Sequence, residues 1–342
     1  MTELAITEQQ RKIVFFLGAG ASYGAGAYAS VQHGGHLPIP TQSSFWDTFL
    51  RFCKSKTNRQ DIEAFLFRYF KGYGRVPARI KPGKRRAMFG DVNVEEVFTF
   101  LSERARAPST SSGLRREAKK IWVALISELP NVFRRFEPNK DTRTVFRKLS
   151  RNFVRSRDTI VSFNYDTVFE RSLLLKSHWH YEGVEDKANS IGVLKPHGSI
   201  NWQDSDPIRI DDSPEPALVV APTHLKFIRD STDPSSDTGG YLDHSQGIKN
   251  VWQVMEREMR EAKALVFIGY SFPAADLYFS SILRSVLADR RRAPAVAIVN
   301  PDAVAIGSRL QQRFALERVD LHFDLRNFVE GTRKNLLERL TL

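Results

Sequence analysis

One cysteine, Cys53, stands among 342 residues. No intramolecular disulfide can form, and no cysteine-based zinc module can be assembled. That scarcity fits a reducing, cytoplasmic setting. The apolar run from Ala264 to Phe272 is too short to span a bilayer. Met1 to Lys12 is polar and carries no secretory pattern, so neither export nor a membrane is expected. No lysine follows the early glycines with the spacing of a Walker phosphate loop. With 42% hydrophobic residues, 20 Gly and 16 Pro, the chain is neither disordered nor fibrous. Its length suits one large α/β domain with an insertion, or two domains.

Positive charge is what the chain has in excess, with a net +12. Basic residues crowd between Arg75 and Arg157, among them Arg79, Lys81, Lys84, Arg85, Arg86, Arg115, Arg116, Lys119, Lys120, Arg134, Arg135, Arg147 and Lys148. Such a surface could contact nucleic acid directly or meet an acidic partner subunit. It could equally be the solvated face of ordinary helices, because no nucleic-acid-binding motif accompanies it.

The patterning predicts a buried strand over Lys12 to Leu17, then a glycine-rich loop reaching Gly35 before a first helix near Ser44 to Phe52. From Phe45 to Ser150 the spacing is helical, with Ile62, Phe65, Leu66 and Tyr69 on one face. Gly72 to Gly90 reads as a basic loop and Pro108 to Gly113 as a break. Strand signals return at Thr159–Phe163, Ile191–Leu194, Ala217–Val220, Ala264–Ile268, Ala295–Val299 and, weakly, Val319–Phe323. Helical patterns at 167–175, 248–262, 275–288, 302–314 and 326–340 separate several of them. Gln203–Pro216 and Arg229–Gly247 read as long polar loops. The fold expected is α/β, a doubly wound parallel, Rossmann-like sheet with a helical insertion. Residues 1–44 supply its first strand and phosphate loop, 45–150 the basic insertion, and 151–342 the remainder.

Five short pieces, each after a strand, carry candidate chemistry. Gly18-Ala19-Gly20-Ala21-Ser22 could offer backbone N–H groups to a pyrophosphate. The dehydrogenase fingerprint is incomplete, since Tyr23 replaces its third glycine, so a structural turn remains open. In Ser162-Phe-Asn164-Tyr-Asp166, Asn164 can donate and accept toward a ribose hydroxyl or a water, and Asp166 can accept from an amide or cap the following helix. Lys195-Pro-His197-Gly-Ser199 places a histidine where it could act as general base. Gly269-Tyr-Ser271 could line a ribose or phosphate. Asn300, before Pro301-Asp302, could reach an adenosine or simply cap a helix. His33 and His36 have a spacing that permits a metal pair, but no third ligand is near, so loop polarity is favoured and no metal is expected.

Taken in order, these pieces resemble the sirtuin-like NAD-binding family. Phe163-Asn164-Tyr-Asp166 looks like its Gln-Asn-Ile-Asp element, with Phe163 in place of the Gln. His197-Gly-Ser199 looks like its His-Gly element, Gly269-Tyr-Ser271 its Gly-Thr-Ser turn, and Val299-Asn300 its late Ile-Asn pair. The resemblance implies that Gly18, Ala19, Gly20, Ala21 and Ser22 cradle NAD phosphates. It places Asn164 and His197 beside the nicotinamide ribose, Asp166 on the carboxamide, and Gly269, Ser271 and Asn300 on the adenosine side. The zinc module of protein-deacylating members has no counterpart here, so no zinc is expected.

These departures are similar to the bacterial sirtuin-like effectors of antiphage defence. The resemblance implies an NAD glycohydrolase that uses NAD as substrate and retains no cofactor. It also implies a partner, such as a co-encoded HerA-type ATPase, an Argonaute or another sensor. Because unregulated cleavage would empty a cell of NAD, the resting protein is expected to be held inactive, through homo-oligomerisation or that partner. Rival readings are a module that senses NAD or ADP-ribose without cleaving it, and a nucleic-acid-binding protein with a vestigial pocket. A lysine deacylase stands further off.

Overall fold

The computed structural model describes residues 11–30, 35–72, 82–107, 110–173, 178–185, 190–203, 205, 207–214, 217–221, 246–273, 276–288 and 293–341. The chain opens with β1 (Ile13–Leu17), α1 (Ala19–Gly24), β2 (Tyr28–Ser30) and β3 (His36–Pro38). Six helices follow: α2 (Phe45–Phe52), α3 (Lys56–Phe70), α4 (Pro82–Phe89), α5 (Val94–Arg106), α6 (Ser112–Phe133) and α7 (Lys140–Phe153). Next come β4 (Thr159–Ser162), α8 (Val168–Ser172), β5 (Trp179–Tyr181), β6 (Ile191–Leu194), β7 (Gly198–Gln203), β8 (Arg209–Ile210) and β9 (Ala217–Val219). The last part alternates: α9 (Gln246–Glu261), β10 (Ala264–Ile268), α10 (Leu277–Ala288), β11 (Ala295–Val299), α11 (Ala303–Phe314), β12 (Val319–His322), α12 (Leu325–Phe328) and α13 (Arg333–Thr341).

Seven strands form a parallel sheet in the order β12-β11-β10-β1-β4-β6-β5. β1 and β10 are buried along their whole length, as continuous apolar runs covered on both faces must be. The chain leaves β1 toward β4 on one side, while β10 leads to β11 on the other. The crevice between β1 and β10 is therefore the topological switch point, where doubly wound sheets bind ligands.

Several expectations need correction. The first helix begins at Ala19, directly after β1, and a β2–β3 hairpin occupies part of the expected loop. Helix α4 forms inside the segment read as the Gly72–Gly90 loop. Ala217–Val219 leaves the main sheet altogether and pairs antiparallel with β7, alongside β8. It is apolar because it packs on the core, not because it lies at the sheet's centre. The final helical pattern splits into α12 and α13 around Gly331. Residues 31–34 and 222–245, with His33 and most of the second polar loop, lie outside the described residues.

Side chains fix the helix ends. Ser55, Asn93, Ser111 and Asn139 each accept hydrogen bonds from the first turns of α3, α5, α6 and α7. Glu128 of α6 adds a second cap to α3, accepting from the Lys54 and Ser55 N–H groups at 2.7 and 2.9 Å. Burial, with Glu128 beside it, pushes the Cys53 thiol up to about 12, so it stays protonated and unreactive. The buried apolar residues of α2–α7 belong to the same core cluster as those of β1, β4, β6 and β10.

A buried ion pair ties the C-terminal helix to the sheet. Arg333 donates to Asp158 at 2.5 and 3.1 Å, to the Phe153 carbonyl at 2.7 Å, and to the Arg11 carbonyl. Asp158 also accepts from the Ile13 and Arg155 N–H groups. Its carboxyl is raised by burial, against the pull of Arg333. Arg333→Met leaves that carboxylate buried without its cation. The expected loss is about 3–5 kcal/mol of unfolding free energy, read by chemical denaturation of the full chain.

Candidate active site

Three loops meet at the C-terminal ends of β1, β4 and β10. The β1 and β10 loops meet backbone on backbone. The Gly18 N–H donates to Ile268 O at 3.0 Å, and the Gly20 N–H donates to Gly269 O at 2.9 Å. Gly269 adopts φ +60°, and a Cβ there would stand 2.0 Å from the Ala21 nitrogen. The glycines thus bring two loops together at the switch point. One consequence limits the phosphate reading, because the Gly20 N–H is already engaged within the protein. Ala19 is exposed, while Ala21 and Ser22 are buried.

Asn164 follows β4 and is half-buried. Its Nδ2 donates to Gly18 O at 3.0 Å and to Ser22 Oγ at 3.3 Å, so its donor side is spent on the glycine loop. The acceptor Oδ1 takes no hydrogen bond from the described residues. Asn164 can therefore accept from a water or a sugar hydroxyl without breaking a contact.

Of the two roles the sequence left open for Asp166, the described contacts show the capping one. Its Oδ1 accepts from the Val168 N–H at 2.9 Å, capping α8, and lies 3.4 Å from Ser22 Oγ. Below it, the fully buried Lys195 donates to the Asp166 carbonyl at 2.5 Å and to Glu170 Oε1 at 2.9 Å. Burial pushes the Asp166 carboxyl up to about 6, with Lys195 opposing. A raised carboxyl is favoured in its protonated form in the folded state. Stability therefore falls as pH climbs from about 4 to about 6, by about 3 kcal/mol for this group. In Asp166→Asn that fall is absent, which denaturation curves collected across the window would reveal.

His197 follows β6, the strand next to β4. Gly198, at φ +75°, allows the turn, since a Cβ would stand 2.1 Å from Leu218 O. The Val220 N–H donates to His197 O at 2.8 Å, and Trp252 Nε1 donates to Pro196 O at 2.9 Å. The side chain is only 8% exposed. Phe163 and Tyr165, which flank Asn164 in sequence, bring their rings to 5.1 and 6.4 Å from the imidazole, and Trp252 lies at 6.0 Å. His197 Nε2 is 3.5 Å from Asp276 Oδ1, and Tyr270 donates its hydroxyl to Asp276 Oδ2 at 2.5 Å.

Sequence reasoning missed Asp276, Tyr270, Trp252 and Lys195. Tyr270 and Lys195 sat inside quoted motifs, but nothing in their spacing marks a buried ion. The adenosine-side residues are less gathered. Ser271 is exposed, with its carbonyl accepting from Arg309, and Asn300 Oδ1 accepts from the Asp302 N–H, as a cap would.

The basic crowd is partly structural. Arg85 is buried against Glu63 at 2.6 Å, and Arg134 binds the carbonyls of Ile200 and Pro214. Arg75, Arg79 and Lys81 lie outside the described residues. A cavity of about 270 Å³ lined by Ala295, Phe314, Asp320 and Arg339 opens at the opposite, N-terminal edge of β11 and β12, far from these groups. Among the described residues, no three His, Cys, Asp or Glu gather as metal ligands, and no helix is long and apolar enough to cross a membrane.

Residues 158–321 match a family model described as a SIR2-like domain, which supports a sirtuin-like family and an NAD-related function. The matched stretch takes in Asn164, Asp166, His197, Gly269, Ser271 and Asn300, but not Gly18–Ser22 or the helical insertion. Comparison with curated proteins finds no match.

Proposed function

We propose that this chain, with its SIR2-like domain, is an NAD glycohydrolase. NAD and water give nicotinamide, ADP-ribose and a proton. One observation carries the reading: Asn164, Asp166 and His197 stand at the C-terminal ends of the neighbouring strands β4 and β6, beside the β1/β10 crevice. The bond from ribose C1′ to the nicotinamide nitrogen breaks, and a C1′–oxygen bond to water forms. Nicotinamide leaves neutral because the ring starts as a cation, so no general acid is required. What must be supplied is an oriented water, a proton acceptor and shelter for an oxocarbenium-like sugar. Asn164 Oδ1 orients the water or a ribose hydroxyl, His197 takes the proton, and Asp166 holds the carboxamide. Gly18–Ser22 face the phosphates, with Gly269, Ser271 and Asn300 on the adenosine half.

The burial of His197 supports a resting state whose site opens on activation. Unchecked cleavage would exhaust a cell's NAD. A homo-oligomer or a co-encoded partner, such as a HerA-type ATPase, an Argonaute or another sensor, would release it, as in bacterial antiphage defence. The exposed cations of the insertion, Arg116 and Lys120 among them, are the proposed contact surface, for protein or nucleic acid.

The same burial favours one alternative, a sensor that binds NAD or ADP-ribose without cleaving it. Chromatography of NAD incubated with the full chain, alone and with its neighbouring gene product, separates the two. Equal amounts of nicotinamide and ADP-ribose are expected. Tight binding with no nicotinamide released under either condition would establish the sensor instead.

A further inference from the structure

We propose that Asp276 is a positioning residue for His197, fixing the imidazole's tautomer and supplying the counter-charge for its protonated form. The role of the pair in a reaction rests on the NAD-cleavage reading; the pair itself does not. Asp276 lies in the turn before α10, is 4% exposed, and holds Oδ1 3.5 Å from His197 Nε2. That is the outer edge of hydrogen-bonding distance, as is common before substrate tightens a site. Its other oxygen accepts from Tyr270 at 2.5 Å, which fixes the carboxylate's orientation. The loop carrying both residues is strained, with Phe272 at φ +54°. Such conformations persist where the surroundings over-determine them.

Among the described residues, the other groups packed on the imidazole are aromatic. Tyr165 and Tyr270 are held neutral, because burial and then the charge of Asp276 push both phenols up, and Glu95 on α5 adds to that field. Tyr278, packed on Trp252 at 4.9 Å, is raised by burial and Glu256. Among the described residues, Asp276 is thus the carboxylate beside the ring, with neutral phenols around it. A proton held on Nε2 by that carboxylate makes Nδ1 the basic nitrogen of the neutral ring.

The sign of each substitution follows. Asp276→Asn removes the counter-charge, so the imidazole loses its proton at lower pH. Tyr270→Phe removes a donor from the carboxylate, strengthens its hold on the imidazolium, and moves the midpoint to higher pH. Histidine-labelled full chain, with the His197 resonances identified by their loss in His197→Gln, reads both shifts by NMR titration. On the NAD-cleavage reading, Asp276→Asn also lowers kcat by roughly 100-fold or more, and the ascending limb of the pH–rate profile moves down with the NMR midpoint. A merely structural Asp276 would lower the rate without moving either midpoint.

Opposite shifts in the two variants establish the pair even if no nicotinamide is ever released, in which case only the glycohydrolase reading falls. Unmoved midpoints in folded variants overturn the pair even if the wild type cleaves NAD. If Asp276→Asn does not fold, Tyr270→Phe decides alone, and a downward or absent shift there overturns the proposal.

Discussion

Asn164→Ala is expected to slow nicotinamide release by about 100-fold or more, with most of the loss in kcat. The amide has two jobs that can be separated. Its Nδ2 ties the end of β4 to the glycine loop through Gly18 O and Ser22 Oγ, while its Oδ1 is left for the water or sugar hydroxyl. Alanine removes both. Ser22→Ala removes one tie and the Asp166 contact but keeps Oδ1, so its loss should stay below about 10-fold. If Ser22→Ala is as damaging as Asn164→Ala, the asparagine serves the loop and not the reaction. Rates from steady-state nicotinamide release, with KM followed alongside, make the distinction.

Gly269→Ala is expected to damage both the scaffold and the pocket. The added Cβ would stand 2.0 Å from the Ala21 nitrogen and 2.2 Å from the Gly20 carbonyl carbon. Both obstacles are backbone, so no side-chain rotation relieves them. The left-handed φ of +60° adds a steric cost of its own. Forcing β1's loop away from β10's loop should cost about 3 kcal/mol or more in stability. It should also abolish nucleotide binding, because the switch-point crevice is built from that contact. Gly113→Ala, on α6 with open space at its Cβ, serves as a control that leaves both unchanged. Normal NAD binding by a folded Gly269→Ala chain would move the pocket elsewhere.

Strands buried on both faces write themselves into sequence as unbroken apolar runs, which is why β1, β10 and β11 were legible at their true places. Ala217–Val219 has the same signature for a different reason, since it pairs with β7 in a separate small sheet that packs on the core, and periodicity cannot tell the two apart. Asn164 and His197 were legible because a polar residue after a buried strand must face the carboxyl edge of the sheet. Asp276 was not, because an aspartate before a helix reads as a cap, and only folding brings it to the imidazole. The engagement of the Gly20 N–H by Gly269 was equally hidden, since it depends on two loops far apart in sequence.

A crystal structure of His197→Ala soaked with NAD addresses the central claim most directly. The expected density places the nicotinamide ribose between Asn164 Oδ1 and the space left by the imidazole, with the pyrophosphate toward Ala19 and Ser22. NAD bound instead beside Asp320 and Arg339, or lying with its ribose out of reach of Asn164, would contradict it.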